Sequence, residues 1–147
     1  MDHGTKAEAL FKQGYNCAQA VLGAYAEELG LPVETAMKLS SSFGGGMGRM
    51  REVCGACSGM FMAAGLLYGY DNPETGAPKM ELYERIRELA DRFRKENGSI
   101  ICRELLEGAQ VGGTPEARTA QYYQKRPCGE YVRIAAQILE DYIAEQA

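Results

Sequence analysis

Five cysteines, at positions 17, 54, 57, 102 and 128, are the residues of this 147-residue chain whose chemistry composition alone does not explain. An odd number, with no apolar leader in the opening Met-Asp-His-Gly-Thr-Lys, argues against a framework of structural disulfides. It points to a cytoplasmic, reducing setting. There the set reads as buried apolar filler, metal ligands or redox-active thiols. Other chemistries have little raw material. His3 is the only histidine and falls near an end expected to fray, so neither a histidine general base nor a His-rich zinc site is expected. There is no Walker loop, no HExxH and no Gly-x-Ser-x-Gly elbow.

Cys54-Gly55-Ala56-Cys57 has the spacing of dithiol oxidoreductases and of half a zinc knuckle. At i,i+3 on a helix start two sulfurs share a face and reach disulfide distance. The thioredoxin version sits in a βαβ unit, which this chain lacks, and a zinc ribbon wants a second CxxC, which is also missing. Gly44-Gly45-Gly46-Met47-Gly48-Arg49 admits two readings. Gly45, Gly46, Gly48 and Arg49, with Arg51, form a cradle for an anionic cofactor, or the glycines let two helices approach closely. Met47, Met50, Met60 and Met62 read as core filler, and Tyr122, Tyr123 and Tyr131 as packing residues near Cys128.

The elements that position these residues are helices throughout. Apolar positions from Thr5 to Leu29 recur at three- and four-residue steps, interrupted at Gly14-Tyr15. There Asn16 and Gln19 form a capping box that opens a new helix at Cys17. A short helix is expected over 33–42. A third, over about 52–68, is apolar almost all round, as a central buried helix would be. Asp71 to Gly76 reads as a turn. Pro78 then opens a long helix facing the core through Met80, Tyr83, Ile86, Leu89, Ala90 and Phe93, with Glu81/Arg85, Glu88/Arg92 and Asp91/Lys95 paired outside. Gly98 ends it, Ser99 caps the next, Thr114-Pro115-Glu116 starts a short one, and Pro127 opens the last. The reading is all-α: one domain, residues 1–147, a single helical bundle of about five to seven helices.

On this segmentation Cys17, Cys102 and Cys128 fall in first helical turns, and Cys54 just past a glycine-rich helix entry. Lowering a thiol pKa from about 8.5 to about 6.5 requires roughly 2.7 kcal/mol of differential stabilisation. A helix N-terminus supplies about 0.3–1 kcal/mol, or up to about 2 when partly buried. Arg49, Arg51, Arg103 and Arg126 are the sequence neighbours expected to supply the rest.

The remaining composition narrows the class. The 16 Lys+Arg against 20 Asp+Glu make the chain mildly acidic, which disfavours a nucleic-acid partner. The 46% apolar content excludes disorder. The uncharged run from Cys54 to Tyr70, broken by four glycines, is shorter than the roughly 20 residues of a spanning helix, so no membrane span is expected.

The order of motifs resembles a known family. Gly14-Tyr15-Asn16-Cys17-Ala18-Gln19, then Gly44 to Arg49, then Glu52-Val53-Cys54-Gly55-Ala56-Cys57-Ser58-Gly59, then single cysteines at 102 and 128, is similar to the C-GCAxxG-C-C family of small redox-active proteins. The likeness runs from about Ala7 to Leu139 and puts Cys17, Cys54, Cys102 and Cys128 in the hallmark positions. Cys57 falls at a variable position of the motif. The resemblance implies redox or metal chemistry at a four-cysteine site, including iron–sulfur ligation. Two active readings follow. In one, Cys54 attacks and Cys57 or Cys17 resolves, acting on a redox partner protein or a small thiol. In the other, Cys17, Cys54, Cys102 and Cys128 hold a [2Fe–2S] cluster or a zinc ion. The thiol reading ranks first. A bundle with inert, buried cysteines stands against both, and a homo-oligomer is compatible with any of them.

Overall fold

Asn16 opens the second helix as its pattern predicts. Its Oδ1 accepts the Gln19 N–H at 2.9 Å while Gln19 Oε1 accepts the Asn16 N–H at 3.0 Å, so two helix-end donors are satisfied reciprocally. The computed structural model describes residues 1–74 and 76–147. Its helices are α1 (His3–Lys12), α2 (Cys17–Ala26), α3 (Val33–Ser40), α4 (Gly55–Tyr68), α5 (Gly76–Asn97), α6 (Cys102–Leu105), α7 (Ala120–Lys125) and α8 (Cys128–Gln146). A single 3-10 turn, Ser41–Phe43, follows α3.

The fold is all-α, and the described residues contain no strand longer than an isolated bridge. Eight helices exceed the expected five to seven because α6 and α7, of 4 and 6 residues, are scarcely more than one turn each. Among the described residues no helix is long and apolar enough to cross a membrane. The turn expected over 71–76 includes Thr75, which lies outside the described residues; Gly76 already opens α5.

The core is built on α2 and α4. Every residue of α2 from Ala18 to Ala26 except Gln19 is buried, and α4 buries Gly55 to Met60 together with Ala63 and Ala64. Gly59 permits this pairing, since a Cβ there would lie 2.7 Å from the Ala18 carbonyl oxygen. Across them lies α8, which packs on α1, α2, α4 and α5. Tyr25 ties α2 to α8 by donating its hydroxyl to the Ala136 carbonyl at 2.7 Å. Tyr25→Phe deletes that buried bond and should cost about 1 kcal/mol in urea unfolding; an unchanged midpoint would show the bond contributes nothing.

Four expectations need correction. His3 is not at a frayed end: its ring stacks on Tyr25 at 4.0 Å, and its two nitrogens meet Glu140 at 2.5 Å and Glu28 at 2.8 Å. It clamps α1 onto α2 and α8. The first turns of α5 stand off the core, leaving Met80 60% and Tyr83 49% exposed, and only Leu89, Ala90 and Phe93 are buried. Of the expected pairs on α5, Arg92 meets Glu88, but Asp91 takes Arg94, and Arg85 turns to the Tyr68 ring and the Tyr142 hydroxyl. No helix starts at Thr114, because Thr119 supplies the capping oxygen, accepting the Tyr122 N–H at 3.2 Å.

A fifth difference shapes the site. Residues 52 to 54 are extended rather than helical, because they pair with residues 100 to 103 instead. Val53 and Ile101 form an antiparallel bridge. Around it Cys54 N–H donates to the Ile100 carbonyl at 2.7 Å, and Cys102 N–H to the Glu52 carbonyl at 2.6 Å. Two β-branched residues suit an extended pair. The pairing brings Cys54 and Cys102 to the same place.

Candidate functional site

Cys17, Cys54, Cys102 and Cys128 all line one cavity of about 370 Å³. Each stands at a helix start, as expected: Cys17, Cys102 and Cys128 are the first residues of α2, α6 and α8, and Cys54 is the N-cap of α4. Cys57, one turn into α4, is fully buried behind the wall and does not line the cavity. All five thiols are free.

The thiols interact in pairs. The Cys57 thiol donates to the Cys54 sulfur, which is the largest cause holding Cys54 below the ordinary thiol range. Burial opposes this, and the N–H groups of Ala56 and Cys57 at the start of α4 support it. Burial first, and then that same bond to Cys54, push the Cys57 thiol far up. Across the cavity the pattern repeats. Cys17 donates to Cys128, raising its own pKa and lowering that of Cys128, which burial opposes and Arg126, Arg118 and Arg51 reinforce. Each pair thus joins one acidic thiol to one proton-holding thiol.

The arginines are not placed as their sequence positions suggest. The leading causes that lower Cys54 are the Cys57 thiol and the N–H groups of α4 rather than Arg49 or Arg51. Arg49 Nε donates to the Gly112 carbonyl at 2.9 Å and Arg51 Nε to the Gln110 carbonyl at 3.0 Å, clasping the 110–113 loop. Arg103 turns away to Glu52 and the Arg51 carbonyl. Arg51 is 5% exposed, with Nη1 3.7 Å from Cys102 Sγ and no paired carboxylate among the described residues. A buried cation without a counter-charge costs several kcal/mol, so the thiols it faces are its available anions. Burial nonetheless keeps the Cys102 thiol raised, Arg51 acting against it.

Arg118 was not anticipated. It donates to the Phe11 and Tyr15 carbonyls, both at 3.0 Å, and lies 4.3 Å over the Phe11 ring. From there it faces Cys17 and Cys128. Its stretch, 111–119, carries no periodicity, so no local pattern marks it. Tyr122 and Tyr131 line the cavity, whereas Tyr123 packs edge-on against Phe11. Burial pushes the Tyr122 hydroxyl up to about 12. None of the four methionines noted in the sequence lines the cavity.

The glycine run forms one wall. Gly45, Gly46, Met47, Gly48 and Arg49 have φ of 66°, 70°, 67°, 57° and 61°, and Arg51 follows at 59°. Five successive left-handed residues are exceptional, since each L-residue there costs about 1–2 kcal/mol. The turn is stitched by Arg51 N–H to Gly45 O at 3.1 Å and Glu52 N–H to Gly46 O at 2.9 Å. It presses Gly46 against Cys102, where a Cβ would lie 2.7 Å from the Cys102 Cβ. Gly45, Gly46, Gly48 and Arg49 all line the cavity; a Cβ at Gly45 would lie 2.7 Å from Arg49 Cγ, whereas at Gly48 it would meet nothing within 4 Å.

For a metal centre the geometry is divided. Among the described residues no group of three or more His, Cys, Asp or Glu side chains is arranged to hold an ion. The four thiols around a shared cavity do match the donor set of an iron–sulfur cluster.

An all-α bundle whose helix starts bring four thiols to one cavity is the class that fold and site define. The chain belongs to the C_GCAxxG_C_C family, described as "Putative redox-active protein", whose model matches residues 15–142. No curated protein and no solved structure matches it.

Proposed function

We propose that this redox-active protein works by thiol–disulfide exchange, with Cys54 as nucleophile and Cys57 as resolving thiol. The observation that carries the reading is the placement of the two thiols at the start of α4, Cys54 as the cavity-facing N-cap and Cys57 buried on the helix behind it, with Cys54 held below the ordinary thiol range. Cys54 thiolate attacks one sulfur of a substrate disulfide entering the cavity, forming a mixed disulfide and releasing the other sulfur as a thiolate. Cys57 then gives up its proton to that leaving thiolate and attacks Cys54 Sγ. The Cys54–Cys57 disulfide closes and the second substrate sulfur departs, taking a proton from water. Two electrons pass from the dithiol to the substrate. Arg49, Arg51, Arg118 and Arg126 give the cavity a cationic lining in which departing thiolates are stabilised.

A second reading, an iron–sulfur cluster held by Cys17, Cys54, Cys102 and Cys128, is favoured by one observation. Those four line the cavity and Cys57 does not. Such a cluster supplies one-electron transfer when bound.

Alkylation of metal-free, reduced protein separates the two. On the thiol reading Cys54 reacts faster than Cys17, Cys57 and Cys102. Its rate falls as pH drops through a midpoint below the ordinary thiol value of about 8.5, because only the thiolate reacts. A Cys54 midpoint at or above that value would defeat the nucleophile. Iron and sulfide in anaerobically purified protein, with thiols unreactive until a chelator is added, would establish the cluster.

A further inference from the structure

Cys17 and Cys128 have no role in the exchange just described, yet they meet in the same cavity. Cys17 opens α2 and Cys128 opens α8, both line the cavity, and each shifts the other's pKa, Cys17 upward and Cys128 downward. Cys17 also lies against the other pair: a Cβ on Gly55, the residue after Cys54, would sit 3.1 Å from the Cys17 Cβ. Arg126, Arg118 and Arg51 line the cavity with Cys128 and favour its thiolate. Arg118 is fixed there by the Phe11 and Tyr15 carbonyls, and Arg126 by Glu116. Three ordered cations at one thiol form a built environment for a thiolate. Cys102 has no such thiol partner; its neighbour is Arg51.

We propose that Cys17 and Cys128 are a second redox dithiol, which exchanges disulfide with Cys54–Cys57 across the cavity they share. The exchange step rests on the thiol reading above; formation of the Cys17–Cys128 bond does not. Cys128 thiolate attacks Cys54 Sγ of the Cys54–Cys57 disulfide, forming a Cys54–Cys128 bond and releasing Cys57 as a thiolate. Cys57 takes up the proton that Cys17 loses. Cys17 then attacks Cys128 Sγ, closing Cys17–Cys128 and returning Cys54 as the thiolate. One thiolate and one thiol stand on each side, and two electrons move from one pair to the other. The odd cysteine count then resolves into two dithiols and one single thiol, Cys102.

The test is oxidation of the full chain with a small cyclic disulfide, followed by alkylation in denaturant and peptide mapping. Oxidised wild type should contain both Cys17–Cys128 and Cys54–Cys57, with Cys102 the one alkylated thiol. The Cys54→Ser/Cys57→Ser variant should still form Cys17–Cys128. The Cys17→Ser/Cys57→Ser variant, started with reagent on Cys54, should trap Cys54–Cys128. Circular dichroism reports whether each variant keeps its helices, and the wild-type map needs no substitution. Cys54–Cys57 found in wild type with Cys17 and Cys128 both alkylated would overturn the second dithiol while leaving the first. Cys17–Cys128 found without any trapped Cys54–Cys128 in a folded variant would overturn the exchange.

Discussion

Gly46→Ala is expected to destabilise the protein by about 2–5 kcal/mol, whereas Gly48→Ala, two residues on, should cost only about 1–2. Both positions are left-handed, at φ of 70° and 57°, so both substitutions carry the backbone penalty of an L-residue. They differ in what a new methyl meets. At Gly46 it would lie 2.7 Å from Cys102 Cβ and 2.8 Å from both Arg51 Cα and Glu52 N, and two of these three are backbone that cannot rotate away. At Gly48 nothing lies within 4 Å. Urea midpoints of the two variants measure the difference directly. Equal, small losses would mean that the wall is pliant and that Cys102 is not held by it.

Cys57→Ala should lower the ionisation constant of the Cys54 thiol by about 10- to 100-fold, because a hydrogen bond to a charged acceptor contributes about 1.5–3 kcal/mol. The sign follows from the direction of the effect. The Cys57 thiol holds Cys54 below the ordinary range, so its removal moves the midpoint of alkylation upward. Cys57→Ser separates the two roles of this residue. A serine hydroxyl still donates, so the midpoint stays low, but it cannot resolve, so a mixed disulfide at Cys54 accumulates with a small disulfide substrate. Mass spectrometry of the intact adduct and the pH–rate profile read the two roles independently. Wild-type profiles in both variants would remove Cys57 from the mechanism.

What the sequence made legible was local. Asn16 with Gln19 placed Cys17 at a helix start because capping chemistry lies within four residues. The uncharged run after Cys54 announced a helix buried all round, and α4 is that helix. The four hallmark cysteines in first turns or at a cap followed from the same local signals. Whatever depended on distant partners was not legible. Arg49 and Arg51 stand beside Cys54 in sequence, yet their left-handed backbone aims them at the 110–113 loop and Cys102. Arg118, in a stretch without periodicity, reaches Cys128 only because α1 and α8 lie together. His3 is held by Glu140, 137 residues away. Residues 52 to 54 were read as helix from their neighbours, and a bridge to Ile101 overrode that preference.

The position of α8 against α1, α2 and α4 also bears on how the chain is made. Synthesis proceeds from the amino end at about 5–20 residues per second, so Cys128, 111 positions after Cys17, appears roughly 5–20 s later. For the greater part of that interval, once residue 57 has been added, Cys17, Cys54 and Cys57 are all on the nascent chain while the helix that completes their cavity does not yet exist. Tyr25 and Phe11 lack part of their cover for the same period. A nascent chain in this state exposes three thiols and an unfinished apolar face. Any contact or bond that involves Cys128 can therefore form only after the last helix has begun to appear.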